Sequence, residues 1–567
     1  MPMMQLGEWL PDQQPIALPG LTQADNVYPT LTGYRSFNGR VPVTGVDALT
    51  YTCRGALSGT TQAGAHFTLV GTRVVGSGTG AEIKVIWDSG NWVDLTPAGG
   101  LLDTLTTEAK YSFAVYGDRL IAVGEGIAPL TLDTVTSTPA GSATPMVALD
   151  ANASKADVCA VFKEFLILGN IVGRNNNSGI GTQRAGLHWS AIGNPTSWPD
   201  VGTDLAIDAQ SDYQILDGSG GAITDIVPAG EWCAVLRERQ VWRMDYVGLP
   251  NIFSFRKVDS NRGSLITGAG VAVGGVVYFP SAEGFLAFDG HSLSPIGEEK
   301  VDRYWRETQD FENKHSVHSV YNAETESIYW TVATGSDAPT TILAYRPLLQ
   351  KWFQLTTLSA ECIFDAVGSV IGGNLDAAPY ATLKMDNAAP DSVLLQNANL
   401  DSLGVRIGER SLAAIDNSHR LMVYTDTDNT LKAEITTGDF EAPGGQRGIL
   451  RWIRPIYDGR GNFSGFAAGR LAPNENPPLQ PLTWMDTAGV LSSQSTENAF
   501  VQVGTITQPD PFGVGFGQGQ YGYYEDRPRR VGGRYLRAKF VSVDPISKFS
   551  GFDFELRTSG SGQRAQR

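Results

Sequence analysis

Charge is sparse in this sequence, cysteine is sparser, and a long apolar run is missing. Only 18% of the 567 residues are charged, against 42% hydrophobic and 10% aromatic, which marks a globular chain. The four cysteines, Cys53, Cys159, Cys233 and Cys362, lie far apart, each in or beside an apolar run. No two have metal-ligand or redox spacing, so four buried thiols made in a reducing cytoplasm are expected. No stretch reaches the ~18 apolar residues that a membrane helix needs. Residues 1–10 lack the basic region and apolar core of an export signal. Neither export by a signal peptide nor membrane insertion is therefore expected. Ser, His and Asp do not recur at a recognisable catalytic spacing, so the sequence offers no positive support for an enzyme.

What is present is glycine, proline and short apolar runs. The 65 Gly and 30 Pro suit many short strands joined by tight turns and leave little room for helix. Two consecutive stretches carry the same pattern of four strand-length runs. The first has runs at 223–227, 232–236, 241–245 and 252–258; the second has them at 269–273, 276–279, 285–289 and 292–296. Trp232, Val241 and Ile252 recur as Val276, Phe285 and Ile296, an offset of 44 residues each time. A period in the forties with four strands per unit is the signature of a propeller blade, whose sheet buries its faces against neighbouring blades.

Similar clusters recur at 66–95, 111–133, 157–190 and 315–355, with a weaker one at 362–384. An all-β fold follows: a β-propeller of six to seven irregular blades over 46–390, then a β-sandwich-like domain over 391–567. At 60.8 kDa the chain is long enough for both. Residues 1–45, dense in Pro and Gly, read as an extended arm. Trp9, Leu10, Tyr34 and Phe37 are candidate anchors on another surface, such as a neighbouring subunit. Residues 175–181 read as an exposed, mobile loop, and the link 298–305 as a connection reaching a neighbour. Strands such as 421–425 fall in the second domain.

The net charge of −16 is uneven: residues 431–567 hold 16 basic and 13 acidic side chains, so the first 430 carry −19. An acidic body repels phosphate and disfavours tight nucleic-acid binding. The one dense basic cluster, Arg527, Arg529, Arg530, Arg534, Arg537 and Lys539, lies beside Tyr521, Tyr523 and Tyr524. It reads either as a nucleic-acid patch or as the wet face of a strand. His315 and His318 stand near Glu312 and Glu324, but residues three apart on a strand face opposite sides, so no metal is assigned. Residues 76–80, GSGTG, are followed by neither Lys nor helix and read as a hairpin turn rather than a phosphate loop. Residues 190–198, SAIGNPTSW, resemble the Asp-box turn of sialidase-type propellers. A carbohydrate-active propeller is accordingly the alternative reading, although no carboxylate pair can be nominated.

Several phrases resemble the tail nozzle proteins of short-tailed bacteriophages, also called tail tubular protein B, tail hub or packaged-DNA stabilisation proteins. They are GEWLPD at 7–12 with PGL at 19–21 and ADNV at 24–27, HWSAIGNPTSW at 188–198, and VVYFPSAEGFLAFDGHSLSPIGEEKVDRYW at 276–305. GRYLRAKF at 533–540 and GFDFELR at 551–557 complete the set, which spans the chain in one order. The resemblance implies a structural virion protein, made in the host cytoplasm and placed in the tail. It implies a hexameric ring below the portal and adaptor, which retains packaged DNA and lets it pass at ejection. It also implies contacts with tail fibre, tailspike or needle, no specific DNA binding, no cofactor and no catalytic residues. The Gly- and aromatic-rich segment 509–530 is then a candidate channel or gate loop, with Phe512, Phe516, Tyr521, Tyr523 and Tyr524 as its candidate residues.

Overall fold

The computed structural model describes residues 3–16, 20–43, 45–73, 80–87, 90–97, 109–135, 144–335, 339–356, 359–367, 410–426, 430–441, 448–458, 463–470, 480–481, 505–506, 532–542 and 545–558. The fold is mostly β, with several four-stranded antiparallel sheets that resemble propeller blades. Five follow one another in sequence, beginning with strands Thr52–Thr60, Tyr111–Tyr116, Lys155–Phe162, Ile223–Ala229 and Val271–Val273, and the four strands from Ser319–Asn322 to Lys351–Thr356 make a sixth such unit at one end of a larger sheet. They are called units one to six here. Unit seven pairs Cys362–Val367, Arg410–Ile415 and Leu421–Asp426 with Gly39–Pro42 from the start of the chain.

Middle strands such as Trp232–Arg237 and Ser327–Val332 are buried at every position. A strand covered on both faces has no wet side, so it reads as a continuous apolar run rather than an alternating one. The covering comes from neighbouring units. Val158, Phe165 and Leu187 of unit three pack with Ile226, Val235 and Met244 of unit four. Trp232 and Leu236 of unit four pack with Val277, Phe279 and Phe288 of unit five. The same holds between one and two, two and three, and six and seven. Unit seven then meets unit one, where Cys362, Phe364 and Ile415 pack with Cys53, Val70 and Ile86. Gly290, at the expected Asp-Gly turn, has φ +88 and a Cβ there would lie 2.8 Å from the Trp232 ring. Only glycine fits both the turn and the neighbour.

The second body of strands is built from both ends of the chain. In one sheet, Val27–Thr30, Gly33–Ser36, Lys548–Thr558 and Gly448–Asp458 run side by side, and Met3–Gln5 also pairs with Lys548–Thr558. The other continues from unit six: Leu21–Asp25 lies parallel to Lys351–Thr356 through Asp25 and Gln354, then pairs with Ala433–Thr437. Beyond it lie Tyr535–Ser542 and Phe463–Arg470. One core, including Trp9, Leu21, Trp305, Trp330, Trp352, Phe540 and Phe552, joins this body to units five and six.

Three expectations are corrected. The first 45 residues, expected as an extended arm pinned to another surface such as a neighbouring subunit, are extended but paired within their own chain: their strands complete sheets whose other members come from the far end of the chain or from units six and seven. Leu421–Asp426 belongs to a blade-like unit, because it pairs with Arg410–Ile415 and Gly39–Pro42. Asn175–Ile180 forms a short 3-10 helix rather than an open loop. Its buried Asn177 donates to the carbonyls of Asn152 at 3.2 Å and Pro199 at 3.3 Å, and accepts from the Val201 amide at 2.9 Å. Among the described residues, no helix is long and apolar enough to cross a membrane.

Candidate functional site

The first strands of the units begin close together, and polar side chains link them in a belt. Lys110, just before the first strand of unit two, donates from Nζ to the carbonyls of Thr267 and Val317, both at 2.6 Å, on the approaches to units five and six. Asp225 of unit four accepts the Gly270 amide at 2.8 Å through Oδ2. The Ser112 hydroxyl of unit two accepts the Cys159 amide of unit three at 3.2 Å. At the meeting of units seven and one, the Cys53 amide donates to Glu361 Oε2 at 2.9 Å. Cys362 Sγ lies 3.6 Å from Nδ1 of His318, which leads into unit six.

Crowding by protein sets the ionisation of these groups. Lys110 keeps some accessible surface, but desolvation brings its ammonium down to about 8. Desolvation likewise raises Asp225 to about 6, although the Gly270 and Ile226 amides and Lys110 oppose it. Cys159 is pushed up to about 12 by burial, so it is an inert thiol. The belt fastens neighbouring units at one end of their first strands. Among the described residues no group of three or more His, Cys, Asp or Glu could hold a metal ion.

A second constellation lies where the chain's start meets the helix Asp302–Thr308. Both Asp12 carboxylate oxygens accept backbone amides of its first turn, from Arg303 at 2.7 Å and Tyr304 at 2.8 Å. A carboxylate there satisfies donors that have no partner within the helix. Glu8 pairs with Lys300 at 2.8 Å, and Trp9 meets Tyr304 edge to face with ring centroids 5.6 Å apart. Trp305 is fully buried, 4.9 Å from Phe285 centroid to centroid. The link 298–305, expected to reach a neighbour, thus meets the start of its own chain. The anchors expected to contact another subunit are placed likewise: Trp9, Tyr34 and Phe37 are buried within this chain, and Leu10 is half-buried. Aromatic side chains in a Pro-rich stretch announce burial without saying against what.

Units three and four also expose apolar side chains. Leu205 is 74% and Ile207 56% exposed on the helix Asp204–Asp208, while Val247 and Leu249 are 55% and 58% exposed at the hairpin after Val241–Gly248. The Tyr246 hydroxyl, 3.1 Å from Gln210 Oε1, ties the hairpin to the segment just after that helix. Exposed Asp204 and Asp208 give the helix an acidic edge.

The remaining sequence candidates resolve locally. Residues 190–198 make a closed turn in which Trp198 is buried against His188, with ring centroids 4.7 Å apart, and donates to the Pro195 carbonyl at 2.8 Å. The motif caps its unit. His315 sits in a 3-10 turn, Lys314–Ser316, not on a strand, and His318 turns inward to Cys362. In the basic cluster, Arg534 pairs with Glu441 at 2.8 Å, Arg537 with Asp439 at 3.0 Å and Lys539 with Glu434 at 2.5 Å. Carboxylates of adjacent strands therefore already occupy these cations. Arg527, Arg529, Arg530, Phe512, Phe516, Tyr521, Tyr523 and Tyr524 lie outside the described residues, as does most of the GSGTG turn. A cleft lined by Tyr28, Arg35, Phe37, Asn322, Glu324 and Tyr424 holds one carboxylate, whereas glycoside hydrolysis uses two. Sequence reasoning missed Lys110, Asp225 and Glu361. Their signal was a charge set at the start of an apolar strand.

No protein-family model matches the chain, and neither does any curated protein. Among solved structures, it is similar to YCF48 bound to D1 peptide at 12% identity and a TM-score of 0.31, over 58% of this chain and 86% of that one. A chain of the mitotic checkpoint complex matches at 10% identity and a TM-score of 0.34, over 60% and 90% respectively. One of two prolyl endopeptidases matches at 13% identity and a TM-score of 0.31, over 61% and 51%. In fold, this chain is a mostly β protein with several four-stranded antiparallel sheets that resemble propeller blades.

Proposed function

We propose that this chain is the tail nozzle protein of a short-tailed bacteriophage. In this reading it forms a seven-bladed propeller, closed by a strand from its own start, with a β-sandwich-like nozzle domain. One observation carries the reading: most of the family-like phrases are far apart in sequence but meet at one junction, while 188–198 lies apart in unit three. Residues 7–12 dock on the end of 276–305 through Asp12 and Glu8. Residues 24–27 lie beside Lys351–Thr356 and Ala433–Thr437, which pairs in turn with Tyr535–Ser542. Residues 551–557 pair with Met3–Gln5. Most of the resemblance therefore falls on one structural body.

The charge division fits a conduit, because a body of −19 repels phosphate and lets DNA slide past without binding. The ring is hexameric, seated below the portal and its adaptor, with tail fibre, tailspike or needle at its far end. Since the first 45 residues are spent inside the chain, the ring contact falls instead to exposed apolar surface such as Leu205, Ile207, Val247 and Leu249. The same internal packing favours a second reading, a propeller serving as a monomeric binding scaffold. Negative-stain electron microscopy of the purified protein, alone and with its tail adaptor, separates the two. Rings are expected; a monodisperse monomer even with adaptor present overturns the nozzle reading in favour of the scaffold.

A further inference from the structure

Cys53 and Cys362 are 309 positions apart in the chain, so their spacing suggests no relation. The fold brings them together. Cys53 is the second residue of the first strand of unit one and Cys362 the first residue of the first strand of unit seven, where the two ends of the ring of units meet. Both are buried, at 0% and 1% exposure. Their side chains share one buried cluster, and the Cys53 amide donates at 2.9 Å to Oε2 of Glu361, the residue just before Cys362. The other two cysteines have no such companion: Cys159 bonds to Ser112, and Cys233 to the Ala234 carbonyl. The two thiols also differ from each other. Cys362 has His318 Nδ1 at 3.6 Å and is pushed toward its thiolate by its neighbours Cys53, His318 and Lys110, whereas burial keeps Cys53 protonated and His318 neutral and able to take a proton. His318 Nε2 is buried without a partner, so the imidazole has its Nδ1 side turned to the thiol pair.

We propose that Cys53 and Cys362 are a redox clasp, joined by a peroxide into a disulfide that ties unit one to unit seven. Cys362 gives its proton to His318, and its thiolate attacks one peroxide oxygen. The O–O bond breaks, the departing hydroxide takes the proton as water, and Cys362 becomes a sulfenic acid. Cys53 sulfur then attacks the Cys362 sulfur; the S–O bond breaks, and hydroxide leaves as a second water with the Cys53 proton. Two thiols and one hydrogen peroxide yield one disulfide and two waters, the sulfurs being oxidised by two electrons and the peroxide reduced. Because both sulfurs are buried, oxidation proceeds through transient opening of the seam. A link across so long a loop constrains the unfolded chain strongly and holds the seam shut. The inference stands apart from the nozzle reading, since it rests on the seam alone.

The test uses the full chain, reduced, treated with hydrogen peroxide, then denatured, alkylated and peptide-mapped by mass spectrometry. The expected result is that two of the four thiols escape alkylation. The peptides holding Cys53 and Cys362 are recovered joined, and the melting temperature rises by several degrees until dithiothreitol reverses it. Cys159→Ser and Cys233→Ser keep the link, whereas Cys53→Ser and Cys362→Ser lose it. Alkylation of all four thiols after peroxide overturns the proposal. So does a disulfide between any other pair, or oxidation of Cys362 to sulfinic acid without a link. The wild-type peptide map decides the matter even if a variant fails to fold.

Discussion

Units three and four and the body built from the two chain ends are both antiparallel sheets, but they are assembled from opposite kinds of contact. In units three and four each strand pairs with its neighbour in sequence, as Trp232–Arg237 does with Ile223–Ala229 and Val241–Gly248. In the other body, Met3–Gln5 pairs with Lys548–Thr558, and Leu21–Asp25 with Ala433–Thr437. Local pairing costs little loop-closure entropy, whereas joining the chain ends requires most of the molecule to be in place first. One region can form alone; the other is a consequence of everything between.

The largest break in that comparison comes from deleting residues 1–36. The strands Ala433–Thr437 and Tyr535–Ser542 then lose their link to unit six, and hydrogen exchange is expected to show them unprotected while 155–259 remain protected. Next, Trp9→Ala and Trp189→Ala each remove a buried indole and are expected to cost ~3–5 kcal/mol in denaturant titration. Their reach differs: Trp9→Ala loosens both chain ends, and Trp189→Ala only units three and four.

A smaller effect follows from Asp157 of unit three, whose carboxyl burial raises from 3.8 to about 7. The folded state binds this proton more tightly than the unfolded chain, so the contribution is full below 3.8 and is lost as pH rises through about 7. Wild-type stability is expected to fall on the order of 1–2 kcal/mol between pH 5 and 8, discounted for partial exposure. Asp157→Asn, which keeps an acceptor for Asn170, flattens that slope in melts recorded across the range. Smallest is Asp12→Ala, which strips the helix Asp302–Thr308 of its cap and is expected to cost ~0.5–1 kcal/mol in thermal melts.

The same contrast explains what could be read from residues. The runs beginning at Ile223, Trp232, Val241 and Ile252 are all strands, because burial on both faces and short hairpins leave a local imprint. The first strand of unit one, Thr52–Thr60, went unread: it carries Gly55 and Gly59 and only a weak apolar run. The closing strand Gly39–Pro42 went unread too, because a four-residue edge strand is defined by its partner, Leu421–Asp426. Of the polar belt, Lys110 and Asp225 look like ordinary surface charges in sequence. Their role comes from residues such as Thr267 and Gly270, which only the folded chain brings to them.

Gly39–Pro42 also sets a schedule for synthesis. It leaves the ribosome early, yet the strand it pairs with ends at Asp426. At ~5–20 residues per second its partner follows some ~20–75 s later. Throughout that interval the nascent chain carries an unpaired edge, and six units can fold before the seventh exists. A strand made so long before the partner it closes onto is thus also a timer. Two nascent chains on one message could exchange it, and the short, proline-ended Gly39–Pro42 is a poor template for such pairing.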